Sequence, residues 1–242
     1  MRFYQQHWTK EIYESLKQKL RELAEPEYQA FQSALVPGNQ KILGVRIPKL
    51  RALAKEIAKG DFRSYWKLCG TESYEEITLQ GFVLGYSVKE YGEMVRLLDE
   101  YLDKVDNWAT CDCVCSSLKL IKKHAAEFFQ EIPRLLSDPN PWKVRAGLVL
   151  MLDHYLTEED IEACLRRCDA VHREEYYVRM AQAWLISIAY VRFPELTRAY
   201  LDSCTLDDWT YCKAIQKARE SHRVSPEEKA LLQQLKQKRR SI

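Results

Sequence analysis

Apolar positions recur at helical spacing almost from the first residue. Ile12, Leu16, Leu20 and Leu23 follow Thr9-Lys10-Glu11, the opening of a capped amphipathic helix. A second short helix is expected near 27–34, closed by the turn signal Val36-Pro37-Gly38-Asn39. The segment Ile42-Leu43-Gly44-Val45-Arg46-Ile47 reads as extended and leads into Pro48, a favourable first helical residue. Helices are then expected at about 48–59, 62–69, 73–88, 90–103, 107–122, 125–136, 141–155, 157–168, 174–190, 194–202, 207–220 and 226–238. Thr157-Glu158-Glu159-Asp160 reads as a capping box, and Ser225-Pro226-Glu227-Glu228 puts proline and acid into a first turn. No strand pattern of similar strength competes, so the expected fold class is all-α.

Connections are short, so consecutive helices should form antiparallel hairpins, with long helices alternating with shorter ones about every 33 residues. Asp106-Asn107-Trp108-Ala109-Thr110-Cys111 resembles Asp207-Asp208-Trp209-Thr210-Tyr211-Cys212, 101 residues later. Val144-Arg145-Ala146 likewise resembles Val178-Arg179-Met180. The expected architecture is an α-solenoid of helical-hairpin repeats in one domain over 1–242, its inner surface lined by one helix per repeat. The basic end Lys236-Gln237-Lys238-Arg239-Arg240 is expected to fray in solvent.

Five polar residues mark the repeat: Gln80, Asp112, Arg145, Arg179 and Lys213, at intervals of 32, 33, 34 and 34. Such a ladder predicts one helix face shown repeatedly to one side, with charge where a closed core would be apolar.

Composition narrows the class. The 242 residues are 46% hydrophobic, 30% charged and 11% aromatic, as in a folded, soluble protein. With 8 glycines and 8 prolines there are few turn formers for an all-β chain. No apolar run reads as a secretory signal or membrane span, so a cytoplasmic location away from membranes is expected. Eight cysteines should then be reduced thiols. Cys111, Cys113 and Cys115 alternate along a helix and so point apart, which argues against a metal site and for small buried side chains. The net charge of +2 hides an asymmetry. Residues 1–68 carry 13 basic and 7 acidic side chains (+6), residues 207–242 carry 9 and 5 (+4), and the middle is left at −8. Nucleic-acid contact is permitted by this pattern, but only through a localised stripe.

Trp108 and Asp112 stand one turn apart and share a helix face. Arg145 follows on the next inner helix with Trp142 a turn before it, and Trp184 lies beyond Arg179 on the one after. Indole faces attract a cationic base or sugar, arginine clamps phosphate, and a carboxylate opposes the positive charge of a breaking glycosidic bond. Each residue also has a plainer reading. Trp142 and Trp184 could be core, Arg145 and Arg179 could pair with acids on neighbouring repeats, and Asp112 with Arg145 could be a structural ion pair. Periodicity alone stops at a polar concave face suited to nucleic acid.

Asn107-Trp108-Ala109-Thr110-Cys111-Asp112, Pro141-Trp142-Lys143-Val144-Arg145-Ala146 and Tyr176-Tyr177-Val178-Arg179-Met180-Ala181-Gln182-Ala183-Trp184 together resemble the AlkD-type DNA alkylation repair family. Gly44-Val45-Arg46-Ile47-Pro48-Lys49-Leu50-Arg51 is similar to the same family's early signature, and the likeness spans about residues 25–220. The resemblance implies HEAT-like repeats with a concave groove for double-stranded DNA carrying alkylated bases. It also implies a monofunctional glycosylase that releases cationic N3- or N7-alkylated purines without a base-extrusion pocket. Asp112, Trp108 and Trp184 match the family's lesion-contacting positions, and Arg145 matches a phosphate-holding arginine. Arg179 and Lys213, on periodicity alone, and Trp142, Lys143, Arg46 and Lys217 complete the expected DNA contacts. No cofactor or metal is implied, and a monomer is expected. Ser187 departs from the family, which often carries a basic residue there. The alternative is a non-catalytic HEAT-like module that binds DNA or a protein partner.

Overall fold

The computed structural model describes residues 2–38 and 40–240, with Arg240 described in its backbone only. Asn39 of the expected turn lies outside the described residues, as do Ser241 and Ile242 after the basic end. Among the described residues the regular elements are helical, beyond one isolated bridge between Lys41 and Ser73. No described helix is long and apolar enough to cross a membrane. The chain divides at Ala125 into two compact units.

The first unit contains α1 (Lys10–Leu23), α2 (Pro26–Leu35), α3 (Ile47–Ile57), α4 (Phe62–Leu68), α5 (Tyr74–Ser87), α6 (Tyr91–Leu102) and α7 (Trp108–Cys115). A 3-10 turn, Lys119–Lys123, follows α7. Helix α5 is the centre of this unit, lying between α3 and α7, and it is buried from Tyr74 to Leu84. Such all-round burial needs close neighbours. Gly85 supplies one, because a Cβ there would stand 2.6 Å from the Ser117 carbonyl oxygen. The first turn of α5 holds two buried carboxylates. Glu75 accepts from the amides of Leu43 (2.9 Å), Gly44 (2.8 Å) and Val45 (3.1 Å), while Glu76 accepts from the Tyr13 hydroxyl at 2.6 Å. Gly44 turns the chain through φ +97° to deliver those amides, and a Cβ there would meet the Glu25 carbonyl at 2.7 Å.

The second unit contains α8 (Ala125–Phe129, which begins at the boundary), α9 (Ile132–Leu136), α10 (Pro141–His154), α11 (Ile161–Asp169), α12 (Tyr176–Arg192), α13 (Pro194–Ser203), α14 (Asp208–Glu220) and α15 (Pro226–Arg240). Helix α12 packs on both α10 and α14, and α15 covers α14. From α10 to α14 longer helices of 14, 17 and 13 residues alternate with shorter ones of 9 and 10, as the repeat predicts, whereas α8 and α9 are equally short and α15, at 15 residues, is longer than α14.

Three boundaries differ from expectation, each for a local reason. The helix expected over 107–122 ends at Cys115, where the Ser116 and Ser117 hydroxyls donate back to the Cys113 carbonyl at 3.1 and 2.8 Å. The helix expected over 125–136 is two short ones, because Pro133 has no N–H to offer the Phe129 carbonyl. Arg167 Nη1 satisfies that carbonyl instead, at 2.6 Å, with its guanidinium 3.6 Å from the Phe129 ring centroid. Thr157 does accept from the Asp160 amide, at 3.2 Å, but regular helix begins only at Ile161. At the C-terminus the basic residues up to Arg240 continue α15 rather than fraying. Arg239 bonds Asp208 and the Leu206 carbonyl at 3.0 and 2.6 Å.

Glu75→Ala removes a buried acceptor from three amides at once and should cost about 3 kcal/mol or more. Urea unfolding measures the loss, and hydrogen exchange at Leu43, Gly44 and Val45 should accelerate. Unchanged stability and exchange would show that the carboxylate does not hold this segment.

Candidate functional site

In the first unit the site is built on the start of α7. Asn107 is extended (φ −150°) and buried, and its side-chain oxygen accepts from the Thr110 amide at 2.9 Å. Its amide group donates to Asp106 at 2.9 Å and to Gln40 at 3.3 Å, and Gln40 in turn donates to the Lys104 carbonyl at 3.1 Å. This network fixes the helix start. Trp108 is the first helical residue and, like Ile42, packs against the buried cluster of Val36, Tyr74 and Ala109. Of the eight residues of α7, five are buried, and Trp108, Asp112 and Cys113 keep partial exposure. An indole and a carboxylate therefore share the accessible side of the helix. Burial pushes the Cys113 thiol up to about 11; Arg51 opposes this and the Asp112 carboxylate reinforces it. Arg46, the N-cap of α3, pairs with Glu25 at 2.7 Å and lies 4.9 Å over Tyr28.

In the second unit the first turns of α10, α12 and α14 carry a row of rings. Trp142 meets Tyr177 at 5.6 Å between centroids, Tyr177 meets Tyr176 at 5.0 Å, and Tyr176 meets Trp209 at 5.5 Å. Arg179 lies 4.6 Å and Lys213 5.7 Å from the Trp209 ring. Arg145 is buried (5% exposed) and donates from Nη1 to the Tyr177 carbonyl at 2.7 Å, tying α10 to α12. Trp184 keeps partial exposure midway along α12, while Ala183, Leu185, Ile186 and Ser187 beside it are buried. Lys217 is half-buried one turn after Lys213. A cleft of about 520 Å³ opens beside Arg173, Arg179, Gln182 and Thr205. Its arginines are compensated, Arg173 by Glu175 at 2.6 Å and Arg179 by Asp207.

A family model described as DNA alkylation repair enzyme matches residues 16–227. The chain belongs to the DNA alkylation repair enzyme family. No curated protein matches it. Membership supports an enzyme role in the repair of alkylated DNA, with DNA as substrate.

Within that family frame the polar ladder is less regular than its spacing suggests. Counted from their N-caps, Gln80, Asp112, Arg145, Arg179 and Lys213 stand at positions 7, 5, 5, 4 and 6. Each step turns a side chain by about 100°, so equal sequence intervals do not place the five at equal positions along their own helices. Gln80 is fully buried and accepts from Lys104 Nζ at 3.2 Å, which makes it a core group. Arg179 pairs with Asp207 and donates to Thr210 Oγ1 at 3.3 Å, the neighbouring-repeat ion pair left open by the sequence. Lys143 is buried, its ammonium 3.9 Å from Asp138, and that placement does not offer it to a phosphate. Lys213 keeps a neutral partner, Gln216, at 3.0 Å.

The resemblance 101 residues apart is also shifted by one. Asn107 caps Thr110 and Asp207 caps Thr210, so Trp108 is the first residue of its helix whereas Trp209 is the second. Among the described residues no three His, Cys, Asp or Glu side chains gather as a metal would require. Sequence reasoning did not place Tyr176 and Trp209 in the ring row, because the rings they meet lie on other helices or depend on how those helices pack.

Burial works to raise the Asp207 carboxyl, yet the Thr210 hydroxyl and amide and then Arg179 outweigh it and hold it below the ordinary range. A lowered carboxyl contributes stability that is complete above the ordinary carboxylate range, near pH 4, and is lost as pH falls through the folded value. The stability gap between wild type and Asp207→Asn should therefore be full at pH 6 and shrink towards about pH 2 in urea unfolding. A gap independent of pH would remove this ion pair from the acid response.

Proposed function

We propose that the protein is a monofunctional DNA glycosylase that hydrolyses the N-glycosidic bond of N3- or N7-alkylated purines in duplex DNA. The observation that carries this reading is Asp112, one turn after Trp108 on the accessible side of an otherwise buried helix. Alkylation leaves the purine cationic, so the base departs with the bonding electrons and needs no general acid. Positive charge then develops on the deoxyribose. Asp112 opposes that charge and orients the water that adds at C1′, leaving an abasic site and free base. Trp108 and Trp184 offer indole faces to the cationic base or sugar.

Backbone grip would fall to Lys213, Lys217 and Trp142, and to Arg145 once its buried guanidinium gives up the Tyr177 carbonyl. Arg46, Arg179 and Lys143 already have carboxylates beside them and would have to exchange these for phosphate. Ser187 supplies no charge where relatives often carry a cation. Most glycosylases extrude the base they act on; no extrusion pocket is invoked here, as the resemblance to AlkD-type enzymes implies.

Those three occupied cations also favour a second reading, a non-catalytic module that binds DNA or a protein partner. Duplex DNA containing N7-methylguanine separates the two. Wild type should release the base well above the spontaneous rate, and Asp112→Asn should lower release about 100-fold or more while still binding duplex. Spontaneous-rate release with intact duplex binding would sink the glycosylase and leave the module.

A further inference from the structure

Several arginines in this chain are neutralised by carboxylates. Arg46, Arg63, Arg96, Arg173, Arg179 and Arg239 each have a carboxylate partner. Arg51, in the second turn of α3, is different. It is half-buried and held by neutral groups alone. Nη1 donates to the Tyr86 hydroxyl at 2.9 Å and to Ser117 Oγ at 3.3 Å, and the guanidinium lies 4.1 Å over the Phe82 ring. One turn on, Lys55 is exposed with Nζ 5.8 Å from the Tyr86 ring, so two cations flank one tyrosine. Among the described residues neither has an ion-pair partner.

Tyr86 itself accepts from Arg51, and no described acceptor takes its proton. Two nearby carboxylates do not alter this. Glu56 is engaged by the Phe3 amide, and Asp112 lies towards α7, where its field and that of Arg51 oppose each other at Cys113. A half-buried guanidinium braced by neutral groups, a second cation and an unused hydroxyl donor together form a site for an anion with several acceptor oxygens.

We propose that Arg51, Lys55 and Tyr86 form a phosphate-binding site for the DNA backbone, in the same unit as Trp108 and Asp112. This rests on the reading of the protein as a DNA enzyme and adds a grip on the α3 side of the proposed catalytic carboxylate. Gly85 allows the site to form, because the close approach of Ser117 to α5 places its hydroxyl on Arg51.

The test is equilibrium binding of an unmodified duplex over a series of salt concentrations, with a thermal melt for each variant. Lys55→Gln should reduce the slope of log affinity against log salt by about 0.9, as expected for one lost phosphate contact. Arg51→Gln should do the same and lower affinity about tenfold. Tyr86→Phe keeps the ring and should lower affinity without changing the slope. Arg96→Gln, an exposed cation already paired with Glu100, should change neither. If Arg51→Gln fails to fold, Lys55→Gln and Tyr86→Phe decide the matter.

Wild-type slope and affinity in folded Lys55→Gln and Tyr86→Phe, with wild type binding duplex, would overturn this site alone. A wild-type chain that binds no duplex would instead remove the DNA reading and the site with it. Inorganic phosphate, titrated at matched ionic strength, forms the second arm. Its binding, lost in Lys55→Gln while duplex binding is unchanged, would reassign the site to a free anion and overturn it as a DNA contact.

Discussion

The first unit depends on a carboxylate buried at the start of its central helix. Glu75 is fully enclosed and accepts from three consecutive backbone amides of the segment before α3. A buried charge is tolerable only where donors are already aimed at it, and three amides at 2.8–3.1 Å meet that requirement. Its position in the first turn of α5 adds the favourable end of the helix dipole. The consequence is positional. That clamp sets where α3 begins, and hence where Arg46 and Arg51 stand. The neighbouring Tyr74 amide donates to the Lys41 carbonyl at 2.9 Å, and Tyr74 belongs to the buried cluster on which Trp108 packs. An apolar residue at 75 would leave three buried amides unsatisfied and the α3 side of the site without a fixed origin.

Charge compensation separates scaffold from candidate binding surface. Arg179 with Asp207 and Arg239 with Asp208 join neighbouring helices of the second unit, while Arg173 with Glu175 is a local pair in the segment before α12. Each such pair reduces the attraction left for a polyanion, consistent with a chain whose net charge is only +2. Cations without carboxylates are therefore the informative ones. Lys213 rests on an indole and an amide, and Arg51 on two hydroxyls and a phenyl ring. Neutral supports hold a guanidinium in place without lowering its attraction for phosphate.

The cysteines illustrate the same economy of chemistry. Burial raises Cys69 and Cys164 to about 12, so these thiols stay protonated and act as small apolar side chains. The reactive role proposed for this chain falls instead on a carboxylate, which suits a reaction whose leaving group is already cationic.

Helix positions, caps and the alternation of long and short helices were determined by the sequence itself, because they depend on residues within a turn or two. Thr9, Ser73, Asn107, Asn140 and Asp207 each cap the helix that follows them. The motif around Trp108 and Asp112 was legible for the same reason, since both residues lie on one short helix. What the sequence could not decide was which charges remain available. Arg179 is neutralised from 28 residues away, Glu75 is satisfied from about 30, and Arg51 is braced by Ser117 from 66. The regular spacing of the polar ladder concealed this, because which way a rung faces depends on how its helix packs against its neighbours. Only tertiary packing settles that and brings the partners together, since the decisive contacts join residues that chain-local propensity cannot relate.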